Sequence, residues 1–346
     1  MSIHKPSWFS KDTIMVSTAP TCGLTKGGRL LPLVDSTTGE RKQIQDPDTG
    51  EWVDGVNDAL LEDMTALSKG QKTRTLRFID RKLVSLRAAV PVYYDRRFDE
   101  AFEEEMKKPQ FAGFTSAKLG DLAKAGILEI TGGHGSPSSE QRVGDVPYIK
   151  VSDLRAGLVN INPTNRVPHQ IAEKHWGGTE SGLQPFDILS PERTSKNIGD
   201  FCLLMPGQER ILLTKEIIVI RPGPKAGFDS FYLLWAMTLK IVRDQWKRVV
   251  FMQTNREDVG KRYLEISIPV ANSPSIAQQA SAPFRDYYTT ISTARSKLAD
   301  YLSKSGQHHF FVSGAEAPDP EEQAAVDVDG QAAEESVEDD GEEQEG

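Results

Sequence analysis

Cysteine is nearly absent from this 346-residue sequence, which carries only Cys22 and Cys202. Two thiols cannot form a disulfide framework or a thiolate metal cluster. Long apolar runs are missing too. The longest, FYLLWAM at Phe231–Met237, soon meets Lys240, far short of the ~20 residues a bilayer span needs. The opening MSIHKPSWFSKD has no apolar signal core, so the expected compartment is the cytoplasm, without membrane contact.

Enzyme signatures are equally scarce. GGHGS at Gly132–Ser136 is glycine-rich but lacks the GKS or GKT ending that holds a nucleotide's phosphates, so it reads as a surface loop. None of the six histidines has Cys, His or carboxylate partners at metal-ligand spacing, and no metal site is expected. There is no GxSxG elbow. Asn162-Pro163-Thr164 does not supply the Asn/Asp-Pro-Pro-aromatic motif of an amino-methyltransferase. Glu192 and Lys196 superficially resemble part of a nuclease carboxylate–lysine set, with no identifiable partner acid. No catalytic residue is assigned, and no cofactor is expected in this chain.

Bases are missing from one end only. From Glu316 onward there are 14 acids and no Lys or Arg. The formal net charge of −9 therefore hides a mildly basic remainder, 36 acids against 41 bases over residues 1–315. Such a tail buries too little apolar surface to fold, and disorder is expected.

The pattern along the chain predicts an α+β fold in four parts. Residues 1–112 are loop-rich with short helices; RLLPLVD and RKQIQD suggest a hairpin around Thr37–Gly39, and DALLEDMTALSKG a helix ending at Gly70. Residues 113–272 hold recurrent short β-type runs: VPYIKV, GLVNI, FDILS, FCLLM, ILLTKEIIVIR and YLEISIPV. One helix, from about Asp229 to Arg248, interrupts them. Regular βαβ alternation is missing, which argues for α+β. Residues 273–305 form a long helix in which Phe284, Tyr287, Ile291, Ala294, Leu298 and Tyr301 recur at the a/d spacing of a coiled-coil seam. Residues 306–346 are the acidic tail.

Binding chemistry is better represented than catalysis. Seven bases lie between Lys240 and Arg262 against three acids. Some of them are also readable as the solvated side of a helix. The loop FMQTNREDVGKRY packs Gln, Thr, Asn and Arg together, side chains that hydrogen-bond base edges. PERTSKNIG and GGHGSPSSEQR repeat this chemistry. Several such loops on one β-rich scaffold suggest DNA reading.

The order of motifs carries a family resemblance. KLGDLAKAGILEITGGHGSPSS followed by GDVPYIKVSDL resembles the opening of a target recognition domain from the specificity (S) subunit of type I restriction–modification systems. FDILSPERTSKNIG, LLTKEIIVIRP, FYLLWAMTLKIVRDQW and FMQTNREDVGKRYLEISIPV follow in the family's order. The long helix stands where the family has a Glu-Gln-containing helix; Gln278 and Gln279 occupy that place here and the usual acid is missing. The N-terminal TAPTCGLTKGGRLLPLVDSTTGE…WVDGVNDALLEDM is similar to the C-terminal tail of N6-adenine DNA methyltransferase subunits.

The resemblance implies a curved-sheet recognition domain joined to a long coiled-coil-type helix, acting as a non-catalytic DNA-specificity subunit in restriction–modification or a related phage-defence system. Its implied partners are double-stranded DNA and a methyltransferase subunit that would use S-adenosylmethionine, with a restriction subunit as a further partner. The family has two recognition units in one chain and this chain has one, so a homodimer and a separate second half both stay open. Phosphate contacts are assigned to Lys196, Lys215, Lys247, Arg248, Lys261 and Arg262, and base reading to Ser136, Arg193, Asn197, Gln253, Asn255 and Arg256. The helix interface is assigned to Phe284, Tyr287, Ile291, Ala294, Leu298 and Tyr301. A protein-only adaptor using the heptad helix, and a cryptic metal-dependent nuclease, are the alternatives.

Overall fold

The computed structural model describes residues 13–25, 27–71, 73–84, 90–192, 198–252 and 257–305. Its contacts divide it into two compact units, Met1–Glu100 with Lys247–Val249, and Ala101–Trp246 with Val250–Gly346. Arg193, Lys196, Asn197, Gln253, Asn255, Arg256 and the acidic tail lie outside the described residues.

In the first unit, β1 (Thr13–Ser17) pairs antiparallel with a later strand, and β2 (Gln43–Gln45) with β3 (Trp52–Asp54). Helix α1 (Ala59–Ser68) follows, capped by Asp58, whose carboxylate accepts from the Leu61 amide. The partner of β1 is β4 (Leu76–Asp80), and the unit ends within α2 (Arg97–Met106). Asp63 of α1 is buried and accepts from the hydroxyls of Ser17, Thr73 and Thr75, so its charge is hydrogen-bonded rather than stranded.

The expected turn at Thr37–Gly39 is present, and a second of the same design follows eleven residues later. Asp35 accepts from the Thr37 and Thr38 amides, and Asp46 from those of Asp48 and Thr49. Gly39 and Gly50 close the two turns at φ 74°. The amide bonds at Asp35 hold its carboxyl down at about 2. The Lys42 amide donates to the Leu33 carbonyl, the Leu33 amide to that of Gly55 and the Gly55 amide to that of Lys42, a ring of bonds that ties residues 29–57 into a small meander.

The second unit contains β5 (Phe114–Lys118), α3 (Leu119–Lys124), β6 (Leu128–Gly132), β7 (Val146–Ile149), β8 (Leu154–Arg155), β9 (Leu158–Val159), β10 (Arg166–Val167) and α4 (His169–Trp176). Next come β11 (Ile188–Pro191), β12 (Cys202–Leu203), β13 (Leu212–Leu213), β14 (Ile217–Pro222), α5 (Ser230–Thr238) and α6 (Lys240–Val249). β15 (Phe251–Met252), β16 (Glu257–Asp258), β17 (Ser267–Ala271) and α7 (Pro274–Ser305) complete it.

Six strands form one open sheet in the order β6-β14-β11-β12-β9-β8, antiparallel except for β12–β9. A second sheet, β10-β7-β13, stands beside it, and β5 pairs with β17. The run ILLTKEIIVIR, read from sequence as one strand, is split between the two sheets as β13 and β14. Side-chain alternation sets the core: Leu213 joins Ile149, Leu189, Ile217 and Val219, while its neighbour Leu212 joins Val146, Tyr148 and Val167 on the other face. Residues Ile217–Ile220 are all buried, as expected of a strand covered on both faces.

One expectation is corrected. The single helix from Asp229 to Arg248 is two helices, broken at Leu239 with φ −55° and ψ 135°. The Thr238 hydroxyl bonds back to the Leu234 and Trp235 carbonyls, local competition that accompanies the break. In the long helix a stripe beside the assigned interface is the one packed on this unit. The first half of the helix packs on α5 through Ala277, Ser281, Phe284 and Tyr288, with the Tyr288 hydroxyl donating to the Gly157 carbonyl at 3.0 Å. Tyr287, Leu298 and Tyr301 of the assigned interface are 54%, 41% and 59% exposed, while Phe284 and Ile291 are half-buried. No helix among the described residues is long and apolar enough to cross a membrane.

Leu189→Ala removes a fully buried side chain between the paired strands. It should lower stability by about 2–5 kcal/mol, whereas Val143→Ala, at an exposed position, should stay within about 0.5 kcal/mol. Urea unfolding of the two variants tests this.

Candidate nucleic-acid interface

One short stretch, Leu213 to Ile217, collects the loops that sequence chemistry singled out. The amides of His134 and Gly135 donate to the Leu213 carbonyl at 3.0 and 3.1 Å, and the Gly133 amide donates to the Ile217 carbonyl at 2.7 Å. The Glu192 amide, at the entrance to the PERTSKNIG loop, donates to the Glu216 carbonyl at 2.7 Å. The Glu192 carbonyl in turn accepts from the Val259 amide at 3.2 Å, one residue before the turn that carries Lys261 and Arg262. Backbone bonds therefore bring the GGHGS loop, both flanks of Lys215, the start of PERTSKNIG and the end of FMQTNREDVGKRY onto one rim.

Side chains lock the first of these contacts. His134 Nδ1 accepts from the Leu213 amide at 3.0 Å, so the proton sits on Nε2, which lies 2.9 Å from the Ser181 carbonyl and donates to it. Burial pushes the His134 imidazole below its ordinary value, and neighbouring His175 adds to this. The ring stands edge-on to Trp176, whose indole donates to the Ile211 carbonyl. Gly133 is dictated by proximity: a methyl group there would stand 2.0 Å from the Thr214 carbonyl oxygen.

The rim presents mixed chemistry. Ser136 is exposed, its hydroxyl 3.1 Å from that of Thr214. Lys215 and Lys261 are exposed and Arg262 is half-buried. Below them Val259 and Tyr263 are buried and anchor the turn. Burial, and then the nearby Glu192 carboxylate, push the Tyr263 phenol up. The rim is thus not uniformly basic; Glu192 and Glu216 interrupt it. Arg and Lys in this setting can engage phosphate, and the Ser hydroxyl and the exposed amides of such loops can engage base edges.

Arg248 and Lys247 both belong to the first unit. Arg248 is 1% exposed, its guanidinium 5.4 Å from the Tyr93 ring and 3.2 Å from Asp99, so the phosphate role expected for it is corrected: a cation packed under a ring and an acid is not presented to a ligand. Lys247 is exposed, with its ammonium 5.4 Å from the Phe98 ring. Of the twelve expected DNA contacts, then, the structure brings Ser136, Lys215, Lys261 and Arg262 together. Six others lie outside the described residues. Sequence reading missed His134 and Thr214, although a histidine flanked by glycines is a signal of close backbone approach.

Among the described residues no group of three or more His, Cys, Asp and Glu is placed to hold a metal ion. A cleft of about 540 Å³ opens beside β8 and β12, lined by Arg155, Asp200, Cys202, Thr238, Arg243 and Tyr288. Burial holds both the Cys202 thiol and the Tyr288 phenol up at about 12, so neither supplies an anionic nucleophile near neutral pH.

No protein-family model matches this chain, and no curated protein sequence matches it. Among solved structures it is similar to the S subunit of a type I restriction–modification system from M. genitalium, at 16% identity and a TM-score of 0.33, over 66% of this chain and 52% of that one. The HsdS subunit from Thermoanaerobacter tengcongensis gives 17% identity and a TM-score of 0.33, over 66% and 49%. The type IIG restriction endonuclease BpuSI gives 11% and 0.38, over 66% and 33%. The chain spans about half the length of the two S subunits.

The histidine lock sets a pH dependence. His134 is bonded in its neutral form and its folded value is lowered, so between the two values the unfolded chain binds more protons. Its contribution to stability should be full above the ordinary histidine range near 6.5 and lost as pH falls below it. Urea midpoints at pH 7.5 and 5.5 should show a smaller drop in His134→Gln than in the parent protein, and the protection factor of the Leu213 amide, corrected for the intrinsic exchange rate at each pH, should fall at the lower pH only in the parent.

Proposed function

We propose that this chain is the DNA-reading specificity subunit of a restriction–modification or related phage-defence complex. It delivers a partner N6-adenine methyltransferase, with a nuclease as a further partner, to a short DNA sequence. Catalysis and S-adenosylmethionine binding belong to the partner. The observation that carries this reading is the rim. Loops chosen from sequence for their base- and phosphate-binding chemistry lie far apart in the chain, yet Leu213, Glu216 and Glu192 hold them side by side. The ordered series of recognition-domain motifs from Lys118 onward supports the same reading.

On this reading Lys215, Lys261 and Arg262 anchor phosphates, joined by Lys196 of the neighbouring loop. Ser136 reads a base edge together with Arg193, Asn197, Gln253, Asn255 and Arg256. Phosphate contacts supply salt-sensitive affinity common to all sequences, and base contacts supply the choice among them. Anchoring the loops by backbone bonds allows their side chains to differ without loss of the scaffold.

A second reading, an adaptor that binds only proteins, is favoured by the exposed stripe of Tyr287, Leu298 and Tyr301 on α7. A helix that long with one apolar side open suits a partner helix, and pairing of this kind is compatible with both readings.

Sequencing the DNA that co-purifies with the chain, expressed with its neighbouring genes, separates them. A recurrent short motif is expected, and the pair Lys261→Glu and Arg262→Glu should abolish its recovery while leaving the protein folded. Single neutral substitutions of these two residues should each reduce the salt dependence of log K by about 0.9. Ser136→Ala should cost ~1–3 kcal/mol and relax one position of the motif. An adaptor would tolerate all of these changes and yield no motif.

A further inference from the structure

The large apolar side chains left open to solvent are concentrated in one place. Of fifteen such residues among those described, eleven lie between Leu24 and Leu83, all in the first unit. The meander of residues 29–57 holds the densest group. Leu30 is 69% exposed, Trp52 67%, Ile44 45% and Val34 44%. Ile44 stands directly across from Val53, so one side of the β2–β3 pair is apolar, while Trp52 opposite Gln45 projects from the other. Scattered exposed apolar residues are ordinary, but a two-sided apolar hairpin with open edges is a surface that a partner covers or that aggregates.

Charge decides what kind of partner. Between Arg29 and Glu62 there are eight acids and three bases. Two of the bases are already engaged within the meander, Arg41 by Asp54 at 3.1 Å and Lys42 by Asp35 at 3.0 Å. Glu40, Asp48 and Glu51 are exposed around the apolar side chains. This surface repels a phosphate backbone, which excludes it as an extension of the DNA rim. It also opposes pairing with itself, because an isologous two-fold contact would set acids against acids. The chemistry left is a protein surface that is apolar at its centre and ringed by Lys or Arg.

We infer that the meander of residues 29–57 is the docking surface for the catalytic subunit, and that the methyltransferase meets it with an apolar, basic-rimmed patch. Identifying the occupant as the methyltransferase rests on the function proposed above; the acidic, apolar character of the surface does not. The rigid two-turn design fits the role. Asp35 and Asp46 fix both tips through backbone bonds, so little order has to be created on binding.

The test uses the full-length chain and the methyltransferase encoded beside it, purified separately. Ile44→Ser with Trp52→Ser alters only exposed side chains, and Asp48→Lys with Glu51→Lys reverses charge in the same meander without changing an apolar residue. Each pair should weaken binding to the methyltransferase at least about tenfold, as expected for loss of an aromatic anchor or a complementary rim. DNA binding by the chain alone should not change. Unaltered methyltransferase affinity in the folded charge-reversal variant overturns the inference. So does a parent dimer that either pair converts to monomer. If the parent chain selects a DNA motif but no methyltransferase binds it, docking fails and the DNA reading stands. If methyltransferase binds through the meander and no motif is recovered, the DNA reading fails and docking stands.

Discussion

The rim depends on completing the backbone hydrogen bonds of Leu213. Its amide donates to a histidine ring and its carbonyl accepts from two successive loop amides, while the next residue, Thr214, donates its amide to Ile149 of β7. A buried strand end needs every polar group partnered, because an unpaired one costs about as much as a lost hydrogen bond. Here the partners come from loops rather than from a longer ladder. The same bonds that satisfy the strand end therefore fix the loops whose side chains face outward. Glu192 repeats the device with Glu216 and Val259.

Such a design separates holding from reading. The core under the rim is aliphatic and buried on both faces of β13 and β14, and it fixes the backbone without constraining what the loop tips carry. His134 is a titratable group in the holding layer, and its neutral form is part of the lock. Cys202 and Tyr288 sit in a cleft but are kept protonated by burial. The first unit shows the opposite balance, with apolar side chains outside and acids around them, and its buried Asp63 held by three hydroxyls.

Much of the fold was legible. The runs VPYIKV, FDILS and FCLLM each contain a strand, the helix after Asp58 is capped as its sequence implies, and the turn at Thr37–Gly39 is present. The misses have local causes. Periodicity carried the helix straight through Leu239 because Thr238 and Leu239 are ordinary helix residues; the break involves hydroxyl bonds that a pattern does not display. In α7 the residues at a/d spacing, Tyr287, Leu298 and Tyr301, stay open, while a neighbouring stripe through Ala277, Ser281 and Tyr288 is the buried one, which the spacing did not point to. Small residues allow that close approach, and hydrophobic spacing alone gives them no weight.

Residue chemistry by itself determined which loops carry base- and phosphate-binding side chains, that residues 1–315 are mildly basic, and that the second half mixes short strands with helices. Those properties belong to composition and local pattern, and survive without knowledge of the fold. Only the tertiary structure decided that Arg248 lies under Tyr93 beside Asp99 while Lys215 and Lys261 stand exposed. It alone placed the loops at 133–136, 192 and 259–262 on one edge, because hydrogen bonds between residues far apart in sequence leave no periodic trace. A sequence states what each side chain can do; which of them meet is set by where the backbone's polar groups find their partners.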